Sequence, residues 1–250
     1  MRRAIVSDIH GNLEALLAVL KRLGQIGYEI GYEQLICLGD IVGYGADPSA
    51  CLSLIRGKAE IVLMGNHDHA VAVGQPPDDF NHMAKDAISW TIDQLTQAER
   101  EWLGQLPYIE IAGQAFFSHG SPDKPKEFKY ILDEMDASES FLARPHQLMF
   151  IGHSHQPLVF RKRSSGEIDY IPVKLFTKGK GYCLEEDYRY IINVGSVGQP
   201  RESNKQACFV VWDDPWVKYY RVDYDVRSAQ AKIIKAGLPP YLAERLASQS

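Results

Sequence analysis

Residues 2–24, RRAIVSDIHGNLEALLAVLKRLG, change character within a few residues. RRAIVSD is a short apolar run that stops at an acid, whereas NLEALLAVLKRLG spaces its leucines and valine at helical intervals until Gly24 ends the pattern. The alternation then recurs. QLICLGD (34–40) reads as a second strand, a helix runs from about Pro48 to Arg56, and EIVLMGN (60–66) reads as a third strand. This βαβαβ order predicts a parallel sheet whose loops gather at the strand C-termini. Further helices are expected at 82–94 and 96–104, the second opened by the capping box Thr96-Gln-Ala-Glu99.

The later half turns to strands. YIEIA and QAFFSHG flank Gly113, QLMFIGHSH follows, PLVFRKR and EIDYIPV flank Ser165-Gly166, and YIINVGS, ACFVVWDD and VKYYRVDYD complete the series. Closing helices are expected at 226–236 and 240–248, with Pro240 near a helix start. Two sheets packed face to face between helical layers use all these elements. With no repeat and no linker, the expectation is one domain over 1–250, in which 161–189 forms a solvated hairpin excursion or a lid.

The composition narrows the function. A chain of 250 residues that is 45% hydrophobic can bury a sizeable core. The opening MRRAIVSDIHG has too short an apolar run for a signal peptide or a membrane span, so no membrane partner is expected. A net charge of −5 argues against general nucleic-acid binding. Cys37, Cys51, Cys183 and Cys208 show no CxxC pairing, which fits a reducing, cytoplasmic location without disulfides.

Every unusual polar cluster falls just past an apolar run: Asp8-Ile-His10, Gly39-Asp40, Gly65-Asn66-His67-Asp68, His119 and Gly152-His153-Ser-His155. α/β folds place ligands at such strand ends. Carboxylate, imidazole and carboxamide without thiolate suit Mn, Fe, Zn, Co or Ni as a divalent ion. The Asp-x-His and His-x-His spacings put two ligands on one side of an extended segment. His69, His82 and His146 are expected to cap, pack or face solvent.

As a set, these segments resemble the five signature blocks of the calcineurin-like metallophosphoesterase superfamily, in the family's order. The runs GDIVGYGADP, SHGSP and NVGSVGQPR extend the resemblance to the small bacterial and archaeal phosphodiesterase-like branch. The resemblance implies an α/β fold, a four-layer α/β/β/α sandwich of two mixed sheets flanked by helices. It also implies two divalent transition-metal ions, one on Asp8, His10 and His155, the other on Asn66, His119 and His153, with Asp40 bridging. With two carboxylates, two dications and a bridging hydroxide, a site of this kind keeps about one positive charge for a phosphate. His67 matches the family histidine that contacts phosphate and helps protonate the leaving oxygen, with Asp68 orienting its ring. Asn66, Ser196 and Arg201 are the candidate substrate-facing residues.

The expected activity is hydrolysis of a phosphodiester or phosphomonoester of a small molecule or nucleotide. The Ser/Thr protein phosphatases of the superfamily carry an Asp-Arg pair where this chain has Gly43-Tyr44, so a phosphate-binding arginine is missing there unless Arg201 replaces it from another loop. A dinucleoside polyphosphate hydrolase or a protein phosphatase is the alternative. A non-catalytic scaffold is a third reading, since one trafficking-complex subunit resembles this fold, although a scaffold need not keep all seven ligand positions and His67.

Overall fold

The computed structural model describes residues 2–27 and 34–247. In chain order the strands and helices are β1 (Arg2–Val6), α1 (Leu13–Gln25), β2 (Gln34–Cys37), α2 (Pro48–Lys58), β3 (Ile61–Val62), α3 (Asn66–Val73), α4 (His82–Gln94) and α5 (Gln97–Leu103). They continue as β4 (Ile109–Ala112), β5 (Ala115–Ser118), α6 (Glu134–Ala143), β6 (Leu148–Ile151), β7 (Leu158–Arg163), β8 (Ile168–Tyr170) and β9 (Tyr182–Cys183). The last are β10 (Tyr188–Asn193), β11 (Ala207–Asp213), β12 (Trp216–Val222), α7 (Val226–Lys235) and α8 (Pro240–Glu244).

One sheet runs β3-β2-β1-β11-β12-β9 and the other β4-β5-β6-β10-β7-β8. Both are mixed. β1, β2 and β3 are parallel, as are β5, β6 and β10; β11 adjoins the first set and β4 and β7 the second, all antiparallel. Alternation along β1 shows how the layers form, because Ile5 joins the core between the sheets while Ala4 and Val6 face α1 and α2. The inter-sheet core packs Ile36, Phe117, Phe150, Ile192 and Val210 with little or no exposure, and each such side chain contributes about 1.5–3 kcal/mol. α6 covers the outer face of the second sheet through Ala137 and Phe141. The result is the α/β/β/α sandwich, and it brings the C-terminal ends of both parallel sets to one edge.

Three helices depart from the expectation. The segment after Met64, read as the end of a strand and a loop, enters α3 at Asn66; Asp68 caps it by accepting from the Gly65 N–H at 3.2 Å. α6 had no apolar periodicity to reveal it, since Met135 and Leu142 are 73% and 77% exposed; Asp133 caps it instead, accepting from the N–H groups of Met135 and Asp136. α8 is shorter than the 240–248 expected, and residues 248–250 lie outside the described residues. Among the described residues no helix is long and apolar enough to cross a membrane. The four cysteines are unpaired, three of them buried.

Candidate metal centre

The loops that leave these strand ends are tied to one another. The Asp8 N–H donates to the Gly39 carbonyl at 3.1 Å, those of Ile9 and His10 to Asp40 O at 2.8 and 2.9 Å, and that of Gly11 to Ile41 O at 2.9 Å. Gly65 packs so closely on the Asp40 carboxylate that a Cβ there would collide with it. A Cβ on Gly152 would likewise stand 2.8 Å from Asp8 Oδ2.

Backbone conformation aims the side chains. Asp8, His10, Asp40, His153 and His155 have φ of 54°, 49°, 53°, 67° and 59°, a left-handed region that costs a non-glycine residue about 1–2 kcal/mol. The Asp-x-His and His-x-His pairs therefore converge through turns, which corrects the extended-segment explanation for their spacing. Such strain persists only where the surrounding structure enforces it, and it clusters at functional sites.

The donor atoms meet in two overlapping groups. One is Asp8, His10, Asp40 and His155, the other Asp40, His119 and His153; within each group the donor atoms lie within 4.8 Å of one another. The Nδ1 atoms of His10, His119 and His155 stand 3.1, 3.0 and 2.7 Å from the carbonyls of Val42, Leu38 and Gln199. A carbonyl only accepts, so each Nδ1 carries a proton and Nε2 is the ring atom left for a cation. His10 Nε2 and His155 Nε2 face each other at 3.1 Å, and His119 Nε2 stands 3.3 Å from Asp40 Oδ2. Asp8 spends Oδ2 on the His153 N–H (3.1 Å) and Asp40 spends Oδ1 on the His67 N–H (2.9 Å), leaving one oxygen of each for the centre. Asp8 Oδ1, His119 Nε2 and Asn66 Oδ1 are buried without a hydrogen-bond partner. Lone pairs crowded together, with their outer atoms already engaged, fit divalent cations. Asn66 lines the same cavity as Asp40 and His153.

Burial keeps most of these imidazoles neutral. It holds His10 and His155 well below the usual histidine range and lowers His153 to about 3. Burial raises Asp8 to about 7 despite the opposing pull of His119. Burial acts upward on Asp40 too, but His119 and His67 hold it well below the carboxylate range; against burial, Asp40 raises His119 to about 9. Metal ligation at these atoms would displace a proton from His119 and one from Asp8. Between pH 7 and 9 only His119 carries one, so combined metal affinity should fall about tenfold per pH unit on acidification, and about a hundredfold per unit below pH 7 where Asp8 also is protonated. Calorimetric titration with Mn²⁺ in buffers of differing ionisation enthalpy reads the proton count directly.

The remaining candidates divide. His67 is 3% exposed, its ring 4.5 Å from Tyr44, 4.8 Å from His10 and 5.0 Å from Phe80, and it lines the cavity above the centre. Asp68 does not orient that ring. Its oxygens accept from the N–H groups of Ile41, Val42 and Gly65, so it fastens the Asp40 loop to α3, and His67 Nδ1 has no partner. Ser196 also differs from expectation: it is fully buried, donates to Asp8 O at 2.9 Å and accepts from the Gln199 N–H at 2.9 Å, which supports the Asp8 loop from behind. Arg201 does face the cavity, with its Nε buried and unpartnered.

The cavity encloses about 450 Å³, within the range of small-molecule sites. Its walls include Tyr44, which stands where a phosphate-binding arginine is missing, and Phe80, Lys126, Phe128 and Tyr130, which the sequence did not mark as functional. His69 lines it as well, whereas His82 is exposed and pairs with Asp86 at 2.9 Å. Among the described residues none from 161–189 lines it. β7 leads away from the centre and β9 joins the far edge of the first sheet.

The family model for calcineurin-like phosphoesterases matches residues 1–245, and the chain belongs to that family of metal-dependent phosphoester hydrolases. An uncharacterised protein of Methanocaldococcus jannaschii is 39% identical over 250 residues, covering 97% of this chain and 96% of that protein. The crystal structure of a metallophosphoesterase from Sphaerobacter thermophilus superposes with a TM-score of 0.82 at 37% identity, covering 99% of this chain and 98% of that one. A symmetrical bis(5'-nucleosyl)-tetraphosphatase of Yersinia pestis is 30% identical over 118 residues, 46% of this chain and 39% of that protein.

Proposed function

We propose that the chain holds two divalent transition-metal ions and hydrolyses a phosphodiester or phosphomonoester of a small molecule or nucleotide in the cytoplasm. Asp8, His10 and His155 would hold one ion, Asn66, His119 and His153 the other, and Asp40 would serve both. The observation that carries this reading is the donor set itself, whose outer atoms are engaged by the protein while inner atoms from both groups converge on Asp40. Such a pair of ions, when bound, activates water for attack on phosphorus and neutralises charge on the phosphoryl oxygens.

The chain's own residues supply the rest. Arg201 binds a phosphoryl oxygen from the cavity wall, in place of the arginine that Tyr44 cannot provide. Tyr44 packs between His10 and His67, with ring centroids 4.7 and 4.5 Å away, and excludes water there. His67 delivers a proton to the leaving oxygen, while Asp68 and Ser196 keep the Asp40 and Asp8 loops in place. Arg201→Ala should raise KM about 10–100-fold at unchanged metal content, the range for a lost charge-assisted hydrogen bond.

A screen of bis-aryl phosphate against aryl monophosphate, with Mn²⁺ added, tests the function. Turnover of either supports an esterase, and the ratio assigns diester or monoester preference. Full metal occupancy with no turnover of any phosphoester favours a scaffold. The tetraphosphatase reading draws on a relative matched over less than half its length, so dinucleoside polyphosphates belong in the same screen.

A further inference from the structure

We infer that the cavity over the metal centre selects a phosphoester whose organic part carries a flat aromatic ring, received on the faces of Phe80, Phe128 and Tyr130. This deepens the esterase reading and rests on it for the position of the phosphorus. With the phosphoryl group among the metal ligands and Arg201, the organic part has to occupy the space between these walls.

The three rings come from two unrelated segments. Phe80 precedes α4 and stands 5.0 Å from His67. Phe128 and Tyr130 belong to the loop between β5 and α6, where the ring of Phe128 lies 6.0 Å from His119 and that of Tyr130 stacks on His153 at 4.1 Å and 9°. The two segments thus approach the centre over different histidines and leave the cavity between them.

The loop is held tightly to the site. The Ser121 N–H donates to Lys129 O at 3.0 Å, Ser118 Oγ donates to Gly120 O at 2.7 Å, and a Cβ on Gly120 would meet Phe128 Cα at 2.9 Å. Phe128 adopts φ of 49°, a left-handed conformation that is a genuine outlier for a bulky residue. Neither Phe128 nor Tyr130 belongs to a hydrophobic core cluster of the described residues; Phe128 packs instead against rings at the rim of the site, His69 at 6.3 Å, Tyr108 at 5.9 Å, His119 at 6.0 Å and His153 at 6.4 Å. Large apolar rings held off the core and turned into a cavity wall are suited to stacking, which gains affinity for any flat ring with little regard to its edge chemistry.

The test uses Mn²⁺-loaded protein and two ligands that cannot be cleaved, the methylene phosphonate analogues of AMP and of ribose 5-phosphate, measured by calorimetry. They share the phosphorus group and differ at C1′, where one carries the base and the other a hydroxyl. The nucleotide analogue should bind about 5- to 150-fold tighter, the range for one stacked base. Phe128→Leu should remove most of that difference while leaving metal content and the affinity for the ribose analogue unchanged, and Phe128→Tyr should keep it. Phe80→Leu provides a second reading if the loop variant does not fold. Equal affinities in the natural protein, failure of both analogues to bind, or a difference that survives both leucine variants would overturn the inference. Because no turnover is needed, absence of hydrolysis would count against the esterase reading without deciding this one.

Discussion

Asp40→Asn should strip the protein of both ions and lower phosphoester turnover by about 10³-fold, the equivalent of losing several kcal/mol of charge stabilisation in the transition state. Asp40 is the one residue common to both groups of donor atoms. Its Oδ1 already accepts from the His67 N–H, and Oδ2 stands 3.3 Å from His119 Nε2 and 3.5 Å from His10 Nε2. The amide is nearly the same size, so packing is kept while the shared negative charge is lost. His155→Ala should act differently, because His155 approaches Asp8 and His10 but stands outside the group containing His119 and His153. One ion should be retained. Metal counting on both purified variants decides, and equal loss of both ions from each would remove Asp40 from the shared position.

His67→Ala or His67→Asn should leave two metals bound and reduce turnover of esters with alkoxide leaving groups by about 10²–10⁴-fold, the range for a positioned general acid. The hydrogen bond from residue 67 to Asp40 is made by its main-chain N–H, so both variants retain it. Burial lowers His67 to about 4 against the opposing effect of Asp40, which leaves a neutral ring with one N–H at ordinary pH. A phosphate anion beside it works in the other direction and favours the proton. Activated aryl leaving groups need little protonation and should lose less. An equal loss for both classes would make His67 a binding group; loss of metal would make it structural; full activity would end the assignment.

The chemistry-bearing residues were legible because their types are distinctive and because each follows an apolar run that becomes a strand. The sheet order brings Asp8, Asp40, His119 and His153 to one edge whatever the details of the turns. What escaped sequence reading depends on contacts between distant segments. Nothing local to Asp68 shows that its oxygens will reach the Ile41 and Val42 amides, and nothing local to Ser196 shows that it will lie beneath Asp8. Phe80, Phe128 and Tyr130 sit in segments without periodicity, and their shared cavity exists only once the loop after His119 folds back over the centre. Helix α3 was hidden for another reason. Its first turn, Asn66-His67-Asp68-His69, is polar throughout and carries no amphipathic pattern.

Crystals grown with Mn²⁺ and measured at the manganese absorption edge test the central claim most directly. The account predicts two anomalous peaks, one against Asp8, His10 and His155, the other against Asn66, His119 and His153, with the Asp40 carboxylate contacting both. A single peak, or two peaks of which Asp40 touches only one, would contradict it.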